Sequence, residues 1–206
     1  YSGSSSETSL ITQPINLAAG EKIYFDAKKP SYGSPSLKVR YSVNGGISWS
    51  DYVDYSAAIS STSAYSSHEI DLENASAVTA IVEFKGYYYM YIDNVYGGTL
   101  NNTASMIKVT KSAAIVENGT TEAFGPISGE TTETYTITNV GNGTLTITSP
   151  VTTTGVATAA VNATSLAKGE SATLTITMPV AAPYEYKEGA VTVKTSLGDF
   201  VINYKS

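Results

Sequence analysis

Short runs rich in Val, Ile, Thr and Tyr recur from one end of the chain to the other, each closed by Gly, Asn, Ser or Pro. Helical periodicity is weak throughout. β-Branched and aromatic side chains lose freedom in a helix and fit the pleated, half-buried surface of a sheet. Many short strands punctuated in this way are the pattern of sandwiches and barrels. Two segments show it plainly. Tyr135-Thr136-Ile137-Thr138 and Thr144-Leu145-Thr146-Ile147-Thr148 alternate with a period of two, so each has one wet and one buried face. Val140-Gly141-Asn142-Gly143 between them reads as a tight turn, because Gly and Asn tolerate positive φ. Leu197-Gly198-Asp199 reads the same way. Strands are expected near 8–17, 21–27, 36–43, 47–52, 67–72, 77–85 and 87–96, then near 106–110, 113–117, 131–139, 143–149, 155–161, 170–178, 188–195 and 198–204. The expected class is all-β.

The chain has 206 residues, enough for one large domain or two of about 100. Its composition changes near residue 100. Residues 1–98 hold 12 of the 16 tyrosines and the single tryptophan, whereas residues 104–206 hold the other four tyrosines and are rich in Thr. The small, polar stretch Gly97–Thr103 reads as a linker, so two domains are expected, 1–98 and 104–206. A hydrophobic content of 42% with 15% charged residues suits a core-forming chain rather than a disordered one. The net charge is −6, and an acidic surface repels phosphate, so nucleic acid and anionic membrane are poor partners. Cysteine is absent, which excludes disulfides, thiolate metal sites and cysteine nucleophiles. No stretch approaches the roughly 20 apolar residues of a membrane span. The first residues, Tyr1–Thr8, have neither the basic nor the apolar region of an export leader.

Candidate binding residues are aromatic. Gly86–Gly98 reads GYYYMYIDNVYGG. As one strand, it would place Tyr87, Tyr89, Tyr91 and Asp93 on one face and Tyr88, Met90, Ile92 and Asn94 on the other. Such a run is either an inner strand whose rings pack, with hydroxyls wet at the rim, or a platform on which the apolar face of a sugar stacks. Trp49, Tyr52 and Tyr55 fall on an expected loop or strand end, where an aromatic side chain has a better chance of meeting a ligand. Ser42-Val43-Asn44-Gly45-Gly46-Ile47-Ser48-Trp49 is similar to an Asp-box hairpin with Asn in place of Asp. Asn44 would cap the turn and Trp49 would fold back over it. Catalysis has little to stand on. His68 is the single histidine, and Ser66-Ser67-His68-Glu69 does not form a nucleophile elbow. Asp51, Asp54 and Asp71 are available as carboxylates, but charged residues in sandwich loops are usually only solvated.

The first half resembles the jelly-roll domain of the MAM-like, choice-of-anchor J or cleaved-adhesin type. The carriers are Ser9–Leu17, Lys22-Ile23-Tyr24-Phe25-Asp26, Leu37–Gly46, Glu69-Ile70-Asp71-Leu72, Ala80–Phe84 and Tyr91-Ile92-Asp93-Asn94-Val95, in the family's order. The second half resembles immunoglobulin-like modules of the ASH or choice-of-anchor D type, through Thr136–Ile147 and Leu166–Leu174. The resemblance implies a jelly-roll β-sandwich followed by an immunoglobulin-like β-sandwich. It implies a non-catalytic adhesion module, secreted or on a bacterial surface. Trp49, Tyr52, Tyr55, Tyr87 and Tyr89 would contact a glycan or a surface protein. It also raises a structural Ca²⁺ at Asp93, against the alternative that Asp93 only accepts bonds from nearby backbone N–H groups. The other reading is a spacer, stalk or accessory module of a larger exported protein, with no ligand of its own.

Overall fold

The computed structural model describes residues 7–60, 62–124, 129–180 and 186–205. Residues 1–6, on which most of the leader reading rests, lie outside them. The chain is all-β, and among the described residues no helix is long and apolar enough to cross a membrane. It divides into two compact units, residues 1–43 with 49–101, and residues 44–48 with 102–206. Each is a β-sandwich.

The first unit contains β1 (Thr8–Ile11), β2 (Ile15–Leu17), β3 (Ile23–Lys28), β4 (Ser36–Ser42), β5 (Val53–Asp54), β6 (Ser66–Ile70), β7 (Val78–Tyr87), β8 (Tyr91–Tyr96) and β9 (Thr99–Leu100). One sheet runs β5-β4-β7-β2-β9, with β1 also paired to β7, and the other runs β6-β3-β8. Their facing sides bury Ile23 and Phe25 of β3, Leu37 and Val39 of β4, and Val82 and Phe84 of β7. The strict alternation of β3, apolar in and Tyr24, Asp26 and Lys28 out, is what the sequence pattern of a half-buried strand dictates. Four local expectations change. The run 8–17 is not one strand but β1 and β2, with residues 12–14 between them. Residues 47–52 form no strand, and pairing with β4 begins only at Val53. Thr99 and Leu100, within the expected linker, pair with β2 as β9. The run 87–96 is not one strand. β7 ends at Tyr87 in the six-stranded sheet, and the chain crosses over residues 88–90 to begin β8 in the three-stranded sheet. Tyr88 takes φ of 59° at this corner, a left-handed conformation that side chains with a Cβ rarely adopt.

The second unit contains β10 (Ile107–Lys111), β11 (Ala114–Ile115), β12 (Thr121–Ala123), β13 (Thr131–Asn139), β14 (Leu145–Thr146), β15 (Thr152–Thr154), β16 (Thr158–Val161), β17 (Ser165–Leu166), β18 (Ser171–Met178), β19 (Glu188–Thr195) and β20 (Gly198–Lys205). A five-stranded sheet, β11-β10-β13-β18-β16, packs on a four-stranded one, β12-β20-β19-β15, while β14 and β17 pair separately. Tyr135, Ile137, Leu174 and Ile176 from the first meet Val191, Val193, Phe200 and Ile202 from the second in a dry core. Ile47, from the short segment 44–48, is buried in the same cluster.

Leu197 and Gly198 mark a hairpin between β19 and β20, as expected. Val140–Gly143 is not a hairpin turn, because β13 pairs with β10 and β18 whereas β14 pairs with β17. Its glycines serve close approach instead. A Cβ on Gly143 would collide with the Thr103 carbonyl, and one on Gly141 with the backbone of Ala104 and Met106. The N–H groups of Asn142 and Gly143 both donate to the Ala104 carbonyl at 2.9 Å. Fully buried Asn139 closes the corner. Its amide donates to the carbonyls of Gly143 and Leu166, and its Oδ1 accepts from the N–H groups of Gly141 and Met106.

Candidate functional site

The expected binding aromatics are largely committed to their own fold. On the outer face of the six-stranded sheet, Arg40 of β4 stands directly opposite Glu83 of β7. Both side chains are nearly buried, at 10% and 4% exposure, and they form an ion pair. Buried charge is tolerated only when paired and hydrogen-bonded. Trp49 and Tyr52 complete that shell. Their ring centroids lie 4.7 and 4.5 Å from the guanidinium carbon of Arg40, and the Tyr52 hydroxyl donates to Glu83 at 2.9 Å. Burial raises the pKa of Glu83, but hydrogen bonds from Ser9, Arg40 and Tyr52 outweigh it and hold the carboxyl below its usual range. Tyr55 is held edge-on against Phe25, with centroids 5.2 Å apart, and donates to the Glu69 carbonyl at 2.6 Å. Burial raises its pKa.

Tyr87 and Tyr89 do not share a strand face. They flank the sheet-to-sheet corner, where Tyr87 packs edge-on against Tyr88 and Tyr89 against Tyr32. Asp93 is exposed, and its Oδ1 accepts from the Asn94 N–H at 2.8 Å. It faces Asp26 across β3 and β8, and Asn94 directs an amide N–H, not an oxygen, at Asp26. Ca²⁺ takes six to eight oxygens. Among the described residues no group of three or more His, Asp or Glu is placed to hold a metal, so this donor set does not fit calcium. His68 points into the sandwich against Phe25 and Tyr55, with Nε2 2.8 Å from Ser66 Oγ. Burial depresses its pKa.

The open face lies on the other sheet. Register places Tyr24 beside Tyr96, Asp26 beside Asp93, and Lys28 beside Tyr91 on the solvent side of β3 and β8. Tyr24 and Tyr96 stack at 5.2 Å with planes 19° apart, and Tyr96 remains 53% exposed. At the far end the Lys28 ammonium lies 4.6 Å from the Tyr65 centroid and 5.4 Å from that of Tyr91. Three residues of β3 lie between Tyr24 and Lys28, which places the two clusters about 13 Å apart along the strand. Lys22, bridging Glu69 at 2.7 Å and Asp71 at 3.1 Å, borders the Tyr24 end. These hydrogen bonds raise the pKa of Lys22. Sequence reasoning missed this strip, although the alternation Ile23-Tyr24-Phe25-Asp26 already turned Tyr24 and Asp26 outward.

Residues 114–204, less than half of the chain, match a family model described as a protein of unknown function, DUF1573. No curated protein matches the chain significantly. Among solved structures, it is similar to a protein of unknown function from Porphyromonas gingivalis W83, at 11% identity and a TM-score of 0.40 over 96% of this chain and 99% of that one. It is also similar to the Vibrio cholerae VesB protease, at 12% identity and a TM-score of 0.29 over 84% of this chain and 61% of that one. At such scores neither likeness bears on function.

Proposed function

We propose that the chain is a non-catalytic binding module of an exported or surface-attached bacterial protein, and that it takes a glycan on the outer face of the β6-β3-β8 sheet. The observation that carries this reading is the strip from Tyr24 and Tyr96 to Lys28, Tyr65 and Tyr91. It combines stacked rings, one of them more than half exposed, with charged and amide groups along β3 and β8. Tyr24 braces one face of Tyr96 and leaves the other for the apolar side of a pyranose. Asp26, Asp93 and Asn94 then accept and donate hydrogen bonds to sugar hydroxyls in the middle of the strip. No bond is made or broken. The resemblance of the first half to choice-of-anchor J domains, and of the second to choice-of-anchor D modules, fits a role in adhesion.

A spacer role is favoured by a different observation. Trp49 and Tyr52, the loop aromatics best placed by sequence, are engaged by Arg40 and Glu83. A glycan array followed by titration calorimetry separates the two. For a binding module, Tyr96→Ala weakens the best ligand about 30-fold, equivalent to about 2 kcal/mol, and leaves the urea midpoint unchanged. An array with no ligand, or a ligand whose affinity ignores Tyr96, favours the spacer.

A further inference from the structure

The two sandwiches are interleaved along the chain. The second unit is built from residues 102–206 and from residues 44–48, which leave the first unit after Val43 and return to it at Trp49. The inserted segment is a turn closed by its own bonds. Asn44 Oδ1 accepts from the Ser48 N–H at 2.9 Å, the Asn44 amide donates to Ser48 Oγ at 2.8 Å, and the Asn44 carbonyl accepts from the Ile47 N–H at 3.4 Å. Gly45 and Gly46 take φ of 65° and 95°, which residues with a Cβ rarely adopt. Just beyond the segment, within the first unit, the Ser50 N–H donates to the Tyr41 carbonyl at 2.8 Å and the Tyr41 N–H donates to Ser50 Oγ at 3.0 Å. A folded first unit therefore fixes both ends of the turn.

The second unit uses this turn as part of its core. Ile47 is 5% exposed and lies in one cluster with Ile107, Ile137 and Phe200. The Gly45 carbonyl accepts from the Ile107 N–H at 2.9 Å. A Cβ on Gly45 would press on the Leu197 side chain at 2.8 Å and the Ser105 carbonyl at 3.0 Å. While the first unit is folded, the turn is supplied preformed and at high effective concentration. When the first unit unfolds, residues 49–101 become a flexible loop of about 50 residues that the second unit has to close to keep Ile47 in place. Losing Ile47 instead leaves a cavity among buried side chains. Either way, the state with the first unit open and the second closed is penalised. A coupling free energy is reciprocal, so the same penalty protects the first unit while the second is folded. We propose that residues 44–48 are a coupling element through which each sandwich resists opening more strongly while the other is folded.

Native-state hydrogen exchange on the full chain, resolved by residue, tests this without reference to the glycan strip. The slowest amides of β3 and β7 report opening of the first unit, and those of β18 and β20 report opening of the second. Ile47→Ala is expected to speed exchange about 100-fold in the second unit, as loss of a buried isoleucine does. It is also expected to speed exchange at least about 10-fold in the first unit, whose core cluster does not contain Ile47. Ile137→Ala, in the second core but outside the segment, is expected to speed exchange in the second unit alone. If Ile47→Ala does not fold, Ile47→Val carries the same comparison with smaller factors. Exchange in the first unit left unchanged by a folded Ile47 variant overturns the proposal, because the turn then packs without coupling. Exchange in the second unit left unchanged overturns it as well. So does Ile137→Ala acting on both units as strongly as Ile47→Ala, since the coupling is then not carried by the segment.

Discussion

Arg40 and Glu83 are an ion pair that the sheet cannot leave half made. Arg40→Met strands a carboxylate at a site almost closed to water and is expected to cost about 3–5 kcal/mol in urea unfolding. Adding Glu83→Leu removes the stranded charge and should restore most of that loss, because a buried pair contributes little over apolar residues of similar size. His68 makes a second prediction at this scale. Burial against Phe25 and Tyr55 lowers its pKa in the folded state, so the unfolded chain protonates first as pH falls. Stability is therefore complete above the unfolded value of about 6.5 and declines as pH drops from there toward the folded value. The melting temperature should fall between about pH 7.5 and about pH 5.5, and His68→Gln should flatten that slope. Since His68 is the single histidine, and the lowered carboxylates Asp54, Asp71 and Glu83 titrate at lower pH, the window isolates one group.

Among the elements, those with a clean period were readable from sequence. β13, β18, β19 and β20 each run eight or nine residues with alternating burial, and their expected limits differ from the observed ones by a residue at most. β9, β12 and β17 were not readable, since two or three residues carry no period and owe their conformation to a partner strand. The corner at Gly141 and Gly143 shows the same limit. Sequence marked the glycines, but only the fold shows that another backbone passes against them. Gly143→Ala pushes a methyl into the Thr103 carbonyl and should destabilise by about 1–3 kcal/mol, read as a lowered midpoint with the spectrum of a folded sheet retained. At the candidate site, the rings were visible as residues but not as neighbours. Tyr24 and Tyr96 meet through register between strands at opposite ends of the first unit, whereas Trp49 and Tyr52, adjacent and suggestive in sequence, are drawn onto Arg40.

Across the whole molecule, the pairings that close each sandwich join distant parts of the chain. Ile15 meets both Ala80 and Leu100, and Thr121 runs parallel to Asn203. Bringing such segments together costs chain entropy before contacts repay it, so all-β topologies of this kind fold in milliseconds to seconds. Stopped-flow refolding from urea should show its main amplitude in that range, and a microsecond main phase would contradict the long-range pairing. The stacking of Trp49 on Arg40 has a use of its own. Trp49 is the chain's single tryptophan and belongs to the first unit. Its indole emission responds when the guanidinium withdraws and water enters, while the tyrosines of the second unit contribute nothing at those wavelengths. The molecule thus carries a built-in optical label for one of its two sandwiches. Red-edge fluorescence follows the first alone, circular dichroism follows both, and the difference between the two melting curves belongs to the second.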